Sequence, residues 1–383
     1  MNTLQDKAIG ALVGAAVGDA IGGATEGRSA EEILERYDGY VDGVVDYYLT
    51  DWRTAKPMSP YHKGEGHVTD DTLMTNLLVA VYRKHRRHLT AFDMADDLVP
   101  LMMNHVTWIP ELERETVPLM RVFLAEKWLV TRLHYGHVDP REAGVGNVVN
   151  CGAAMYMAPV GIANAGDPSG AYAEAVEIAG AHQSSYGREA AAVFAAAVAA
   201  AMGPNAGLDT VLTAATGLAR DGTRAAVEAC LDAVEPGTDW REAIPLLRAA
   251  VRPFDSVGET YREPAQDSRR PSRLRAIEEL PVALGLLKAT EGEGRGTILG
   301  ATNYGRDSDS IATMGGALAG ALGGERAIPA EWAETVGTAS RLDLRASGLS
   351  MAEVAAEIFA ADETAWRSRR DAMDGLREPV PAG

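Results

Sequence analysis

The chain has 383 residues, 46% of them hydrophobic and 6% aromatic, and 36 Lys and Arg set against 54 Asp and Glu give a formal net charge of −18. So acidic a surface argues against non-specific nucleic-acid binding, which runs on Lys and Arg, and an anionic substrate would need local arginines, helix N-termini or cations. Cys151 and Cys230 make neither a disulfide framework nor a CxxC zinc pair, which points to a reduced, cytoplasmic setting.

The length allows one large domain or two ordinary ones, and abundant alanine favours closely spaced helices. The chain opens helical, with Leu4, Ala8, Leu12, Ala15 and Ala16 on one face and Gly10, Gly14, Gly18 and Gly22 along a second line. Asp19 and the glycines make Ala8–Ala24 a poor membrane span, and MNTLQDK before it lacks the positive charge of a signal peptide. Glycine every four residues marks a close backbone approach. The same spacing returns at Gly316, Gly320 and Gly324, so two glycine-lined helices from opposite ends of the chain are expected to meet.

Residues 27–66 read as an extended loop region, and a second helix starts at Thr69, with Leu73, Met74, Leu77, Leu78 and Val81 on one face. It ends in the cations of Arg83–His88, which suit a helix C-terminus as a solvated end. Further helices are predicted near 92–103, 110–127, 170–181, 186–202, 208–219, 222–233, 241–250, 274–290, 309–322 and 350–375. Strand patterns are scarce, and "GVGNVVNCG" (144–152) and "EPAQDSRRPSR" (263–273) punctuate the chain without a domain linker. The expected organisation is a compact single all-α domain over residues 1–370, followed by an irregular polar tail, 371–383.

Two carboxylate clusters open predicted helices: Thr69-Asp70-Asp71, and Asp307-Ser308-Asp309-Ser310. Either alone is satisfied by helix capping and the helix dipole. Together they supply four carboxylates and two hydroxyls, Thr69 and Ser310. Hard divalent cations such as Mg²⁺ or Mn²⁺ take such oxygen ligands and would remove the mutual repulsion of the carboxylates. Glu26 follows Asp19 by seven residues in "GDAIGGATEG", where a Gly-rich loop lets a carboxylate turn into a cleft or simply face solvent.

In order, "GALVGAAVGDAIGGATEG", "TDDT", "APVGI", "GRDSDSIATMGGALAGALGG" and "IPAEW" resemble the motifs of the ADP-ribosylglycohydrolases, the group that includes dinitrogenase reductase-activating glycohydrolase, and they span most of the chain. The resemblance implies an all-α fold with a binuclear Mg²⁺ cleft. It places metal ligands at Thr69, Asp70, Asp71, Asp307, Asp309 and Ser310, and the catalytic glutamate at Glu26. Asp19, Cys151, Gly152, Tyr156, His182 and Arg306 are candidates for the substrate side, with His182 equally readable as a packed helix-end histidine. Cys151 and Tyr156 stand where the family usually has Asn and Arg, and Arg306 where it has Gly.

The expected activity is hydrolysis of the bond at the ribose anomeric carbon of an ADP-ribosylated side chain, of the ADP-ribosyl-arginine type, with a modified protein as a possible partner. A free nucleoside, nucleotide or ribosylated metabolite is the alternative that Cys151 and Tyr156 raise. A non-catalytic ADP-ribose-binding protein is the alternative from another class.

Overall fold

The computed structural model describes residues 3–51, 62–254 and 277–376. Thr3 begins the first helix, Leu4–Gly22, by accepting the Asp6 N–H on its hydroxyl. The helix is buried from Lys7 to Gly22 and lies antiparallel to Ser308–Gly323. A Cβ on Gly10, Gly14, Gly18 or Gly22 would come within 2.1–2.4 Å of a backbone oxygen of Gly320, Gly316, Ala312 or Ser308, in that order. Seen from the other side, a Cβ on Gly316 or Gly320 would meet Gly14 O or Gly10 O at 2.2 and 1.9 Å. The expected glycine-to-glycine packing is therefore present, and only the absence of side chains permits it.

Buried Lys7 closes one end of this pair by donating to Ala201 O at 2.7 Å and Ala321 O at 2.9 Å, the carbonyl ends of two helices. Burial pushes its pKa down, and Asp6 opposes that. The alanine-rich helix Ser185–Ala201, buried almost throughout its second half, packs behind the pair. Nearly all buried apolar residues form one continuous core. Among the described residues, no helix is long and apolar enough to cross a membrane, and Cys151 and Cys230 are both free and buried.

The all-α expectation holds, with local corrections. The region 27–66 contains a helix, Ala30–Arg36, started by a full capping box between Ser29 and Glu32. The helix expected over 110–127 is not formed. Pro110 and Pro118 each open a short 3₁₀ turn, Glu113 sits at φ 50°, and Thr107–Ile109 pairs antiparallel with Arg114–Thr116. Helix appears there only at Leu124–Leu129, running on as a wider turn through Tyr135.

Gly294–Tyr304 and Ala330–Ser340 are helical although neither is predicted. In the first, three glycines hide the propensity, and the Glu293 carboxylate starts the helix by accepting two backbone N–H groups. The last helix, Leu344–Gly375, ends where the helix predicted over 350–375 ends and so takes in the first residues of the segment 371–383. Residues 52–61, 263–276 and 377–383 of the predicted loop, the punctuating segment, the start of the 274–290 helix and the tail lie outside the described residues.

Substituting Gly316→Val forces the two glycine-lined helices apart, and the expected loss is about 3 kcal/mol or more of unfolding free energy. Urea unfolding measures it, with Gly217→Val, a helical position with nothing within 4 Å of an added Cβ, as the comparison that should lose far less.

Candidate active site

The glycine seam ends at Gly22 and Ser308, and the acidic residues gather there. Ser308 Oγ donates to Gly22 O at 2.9 Å, and Thr25 Oγ1 donates to Thr302 O at 2.7 Å and lies 3.0 Å from Ser308 Oγ. These bonds lock the start of the Ser308–Gly323 helix against the Thr25–Gly27 turn. The turn is closed from the other side by Gly27 N–H to Arg306 O and Arg306 N–H to Arg28 O, each 2.6 Å. Gly305 and Arg306 make this possible by adopting φ 73° and 59°. Glu26 is thereby held beside Asp309.

Asp19 sits inside the first helix, fully buried, and joins it to the helix Asp70–His85. Its carboxylate accepts from Thr69 N–H at 3.0 and 3.1 Å, from Thr72 N–H at 3.1 Å, and from the Thr72 hydroxyl. The Thr69 hydroxyl accepts Asp71 N–H at 3.3 Å, so the expected cap is present and the same turn presents Asp71. Oxygens of Asp19, Asp71 and Asp309 all lie within 4.8 Å of one another, as do ligand atoms of Glu26, His62 and Asp309 and of Cys151, Glu279 and Asp307.

Packed this closely, Asp19, Asp71 and Asp309 resist ionisation. Burial raises Asp71 and Asp309 well above the usual range, and neighbouring carboxylates add to it: Asp19, Asp70 and Asp307 for Asp71, and Glu26, Asp71 and Asp307 for Asp309. Burial likewise lifts Asp19 to about 6, against the pull of its hydrogen bonds from Thr72 and Thr69. Asp71 Oδ2 is buried with no hydrogen bond among the described residues. A set of buried oxygen donors of like charge, one of them unsatisfied, fits a hard divalent cation.

Asp70 is oriented differently from Asp71. Its oxygens take Arg121 Nη1 at 2.8 Å and Phe123 N–H at 3.0 Å. Arg121, buried, also pairs through Nε with the buried Glu111. Burial alone would raise Glu111, but the Arg121 guanidinium, with His62 beside it, holds it below the usual carboxylate range. His62 bridges this pair to the site, with Nε2 hydrogen-bonded to Glu26 and Nδ1 3.4 Å from Glu111 Oε1.

The substrate-side candidates divide into distinct positions. The Cys151 sulfur lies 3.1 Å from Asp307 Oδ2 and 3.3 Å from Ser310 Oγ, inside the acidic cluster, and burial plus the carboxylates of Asp307, Glu279 and Asp71 push its thiol far up. Gly152 packs where a Cβ would be 2.4 Å from Glu126 Oε1. His182 is fully buried with both ring nitrogens engaged, Tyr156 Oη at 3.0 Å from Nδ1 and Ala125 O at 3.0 Å from Nε2. This arrangement has Nε2–H donating to Ala125 and Tyr156 O–H donating to Nδ1. Burial pushes His182 down to about 3, so it stays neutral. Arg306 turns out of the cluster to pair with buried Glu278 at 2.8 Å, and it lines a separate cavity of about 860 Å³ with Arg28, Arg241 and Tyr304.

His62, Glu111, Arg121, Glu126 and Glu279 are additions that the sequence reading lacks. Glu279, the buried first residue of the helix Glu279–Ala289, carries the one legible signal, a carboxylate at the head of the apolar run "LPVALGLL". His62 sits in the stretch "KPMSPYHKGEG" with no periodicity to single it out, and the Glu111–Arg121 pair joins segments with no spacing in common.

The sequence matches the family model for ADP-ribosylglycohydrolase over residues 1–367. A search of the curated proteins gave no match. Among solved structures, one described as "ADP-ribosylglycohydrolase-related protein complex" superposes with a TM-score of 0.59 at 20% identity, covering 92% of this chain and 99% of that one. At that identity the likeness establishes the shared fold.

Glu126 gives a pH test of the cluster. Burial first, then the Asp70 charge, lifts it from 4.5 to about 8. The fold thus holds a proton there that the unfolded chain releases, so its stabilising effect is full below about pH 4.5 and is lost as pH rises to about 8. In chelator-treated protein, Glu126→Gln should raise Tm over the parent increasingly between pH 5 and pH 8. An advantage that does not grow with pH contradicts the assignment.

Proposed function

The chain belongs to the ADP-ribosylglycohydrolase family and is a glycohydrolase, and from that premise we propose that it hydrolyses the glycosidic bond at the ribose anomeric carbon of ADP-ribosylated side chains, of the ADP-ribosyl-arginine type, with divalent-cation dependence. The observation that carries this reading is the convergence of Asp19, Asp71 and Asp309 oxygens, with Glu26 on the rim beside Asp309.

Thr69, Asp70, Asp71, Asp307, Asp309 and Ser310 would hold two Mg²⁺ ions, with Mn²⁺ an acceptable substitute. Bound there, the ions would supply charge compensation and a fixed seat for ribose hydroxyls and water. Asp19 and Arg121 position the two aspartates of the Asp70–His85 helix, Asp71 through the helix start and Asp70 by direct pairing. Glu26 is the general acid or base at the anomeric carbon, and His62 orients it by a hydrogen bond backed by the Arg121-locked Glu111. Developing positive charge on the sugar would be met by the surrounding carboxylates.

Cys151 and Tyr156 favour a second reading of the substrate. The Tyr156 hydroxyl is committed to His182, and the Cys151 thiol faces Asp307 and Ser310. A smaller ribosylated metabolite, with fewer contacts beyond the ribose, suits such a site. Its hydrolysis would release ribose or ribose phosphate instead of ADP-ribose.

Incubating the protein with Mg²⁺ and a panel of ADP-ribosyl-arginine, ADP-ribosyl-serine, NAD and common nucleosides, with mass spectrometry of the released sugar, separates the two. ADP-ribose from the arginine conjugate is expected. Asp307→Ala should abolish turnover, and Glu26→Gln should lower kcat by about 10²- to 10⁴-fold with the fold intact. A fully active Asp307→Ala protein ends the metal reading. Excess EDTA should stop turnover and Mg²⁺ should restore it; activity that persists through exhaustive chelation contradicts cation dependence.

A further inference from the structure

The last helix, Leu344–Gly375, is anchored by Met351, Val354, Ala355 and Ile358 in the core, and beyond them every residue from Phe359 to Leu376 is exposed. At 1.5 Å per residue, residues 359–375 project about 25 Å from the body. The His88 ring, 3.0 Å from Asp362, fixes the direction in which the projection leaves.

This projection is not a uniformly polar helix. Phe359, Trp366 and Met373 recur at seven-residue intervals and Leu376 follows, with 68%, 58%, 56% and 77% of their surfaces exposed. A seven-residue step returns to the same helix face within about 20°. The stripe therefore continues the face that Met351, Ala355 and Ile358 bury in the core, and it runs on past the point where the core stops. An apolar stripe of this kind, extended from an established packing face, calls for a partner surface.

We propose that the projecting segment pairs antiparallel with its counterpart in a second copy of the chain, across a two-fold axis near Trp366. The charge order selects this partner. Glu363 lies three residues before Trp366, and Arg369 and Arg370 lie three and four residues after it. Antiparallel pairing about Trp366 brings Glu363 of each copy beside Arg369–Arg370 of the other, twice by symmetry, and sets Phe359 against Met373 and Leu376. Parallel pairing would place Glu363 against Glu363 and Arg370 against Arg370. The two-fold contact is self-complementary and closes at two copies. Within one chain, Arg370 already lies 5.2 Å over the Trp366 ring, next to the position of the opposing Glu363.

Sedimentation equilibrium of the full chain between about 1 and 100 µM tests the pairing. The wild-type chain should approach the dimer mass at the upper end, and Trp366→Glu should remain monomeric with unchanged helicity. Glu363→Arg alone should raise the dimer Kd about three- to tenfold, and combining it with Arg370→Glu should restore it. A wild-type chain that stays monomeric throughout overturns the proposal, as does a dimer that survives Trp366→Glu. A charge swap that fails to restore pairing overturns the antiparallel arrangement.

Discussion

The site rests on one steric constraint, the approach of two helix backbones close enough that no Cβ fits between them. Gly10, Gly14, Gly18 and Gly22 on one side and Gly316 and Gly320 on the other give up helix propensity for this contact. The contact fixes the two helices along their lengths, so the positions of Asp19 at one backbone and Asp309 at the other are set by the same seam. Wider spacing, with side chains between the helices, would part Glu26 and Asp19 from Asp309.

A seam so tight brings like charges together, and the rest of the site compensates for them. Thr69 and Thr72 share the charge of Asp19 among backbone and hydroxyl donors. Arg121 takes the charge of Asp70 and Glu111. What is left uncompensated lies at Asp71 and Asp309, where burial and neighbouring carboxylates make the ionised state unfavourable in the protein by itself. The protein thus meets the charge of Asp19 and Glu111 with its own donors, orients Asp70 through Arg121, and leaves Asp71 and Asp309 facing further carboxylates.

Much of this is legible in the sequence, for identifiable physical reasons. Glycine at four-residue spacing has one common purpose, and its repetition near both ends of the chain predicts the seam. Aspartates beside Thr69, and beside Ser308 and Ser310, open two apolar helices and mark both turns that carry the acidic cluster. The proline-interrupted hairpin around Glu113 is hidden because its residues carry helical propensity while Pro110 and Pro118 forbid a continuous helix. The Gly294–Tyr304 helix is hidden by glycines that serve packing against Leu286 and Glu293. His62, Glu111 and Arg121 escape notice because their pairing is made by tertiary structure alone. Arg306 is visible as an unusual residue, but nothing local shows that Glu278 draws it away from the acidic cluster.

A divalent cation held at the end of the glycine seam would show directly in anomalous diffraction from crystals soaked in Mn²⁺, as peaks among Asp71, Asp307 and Asp309. Peaks confined to the His85, Asp93 and Asp97 group, which also brings its ligand atoms within 4.8 Å of one another, or none at the seam, would contradict the proposed cation site.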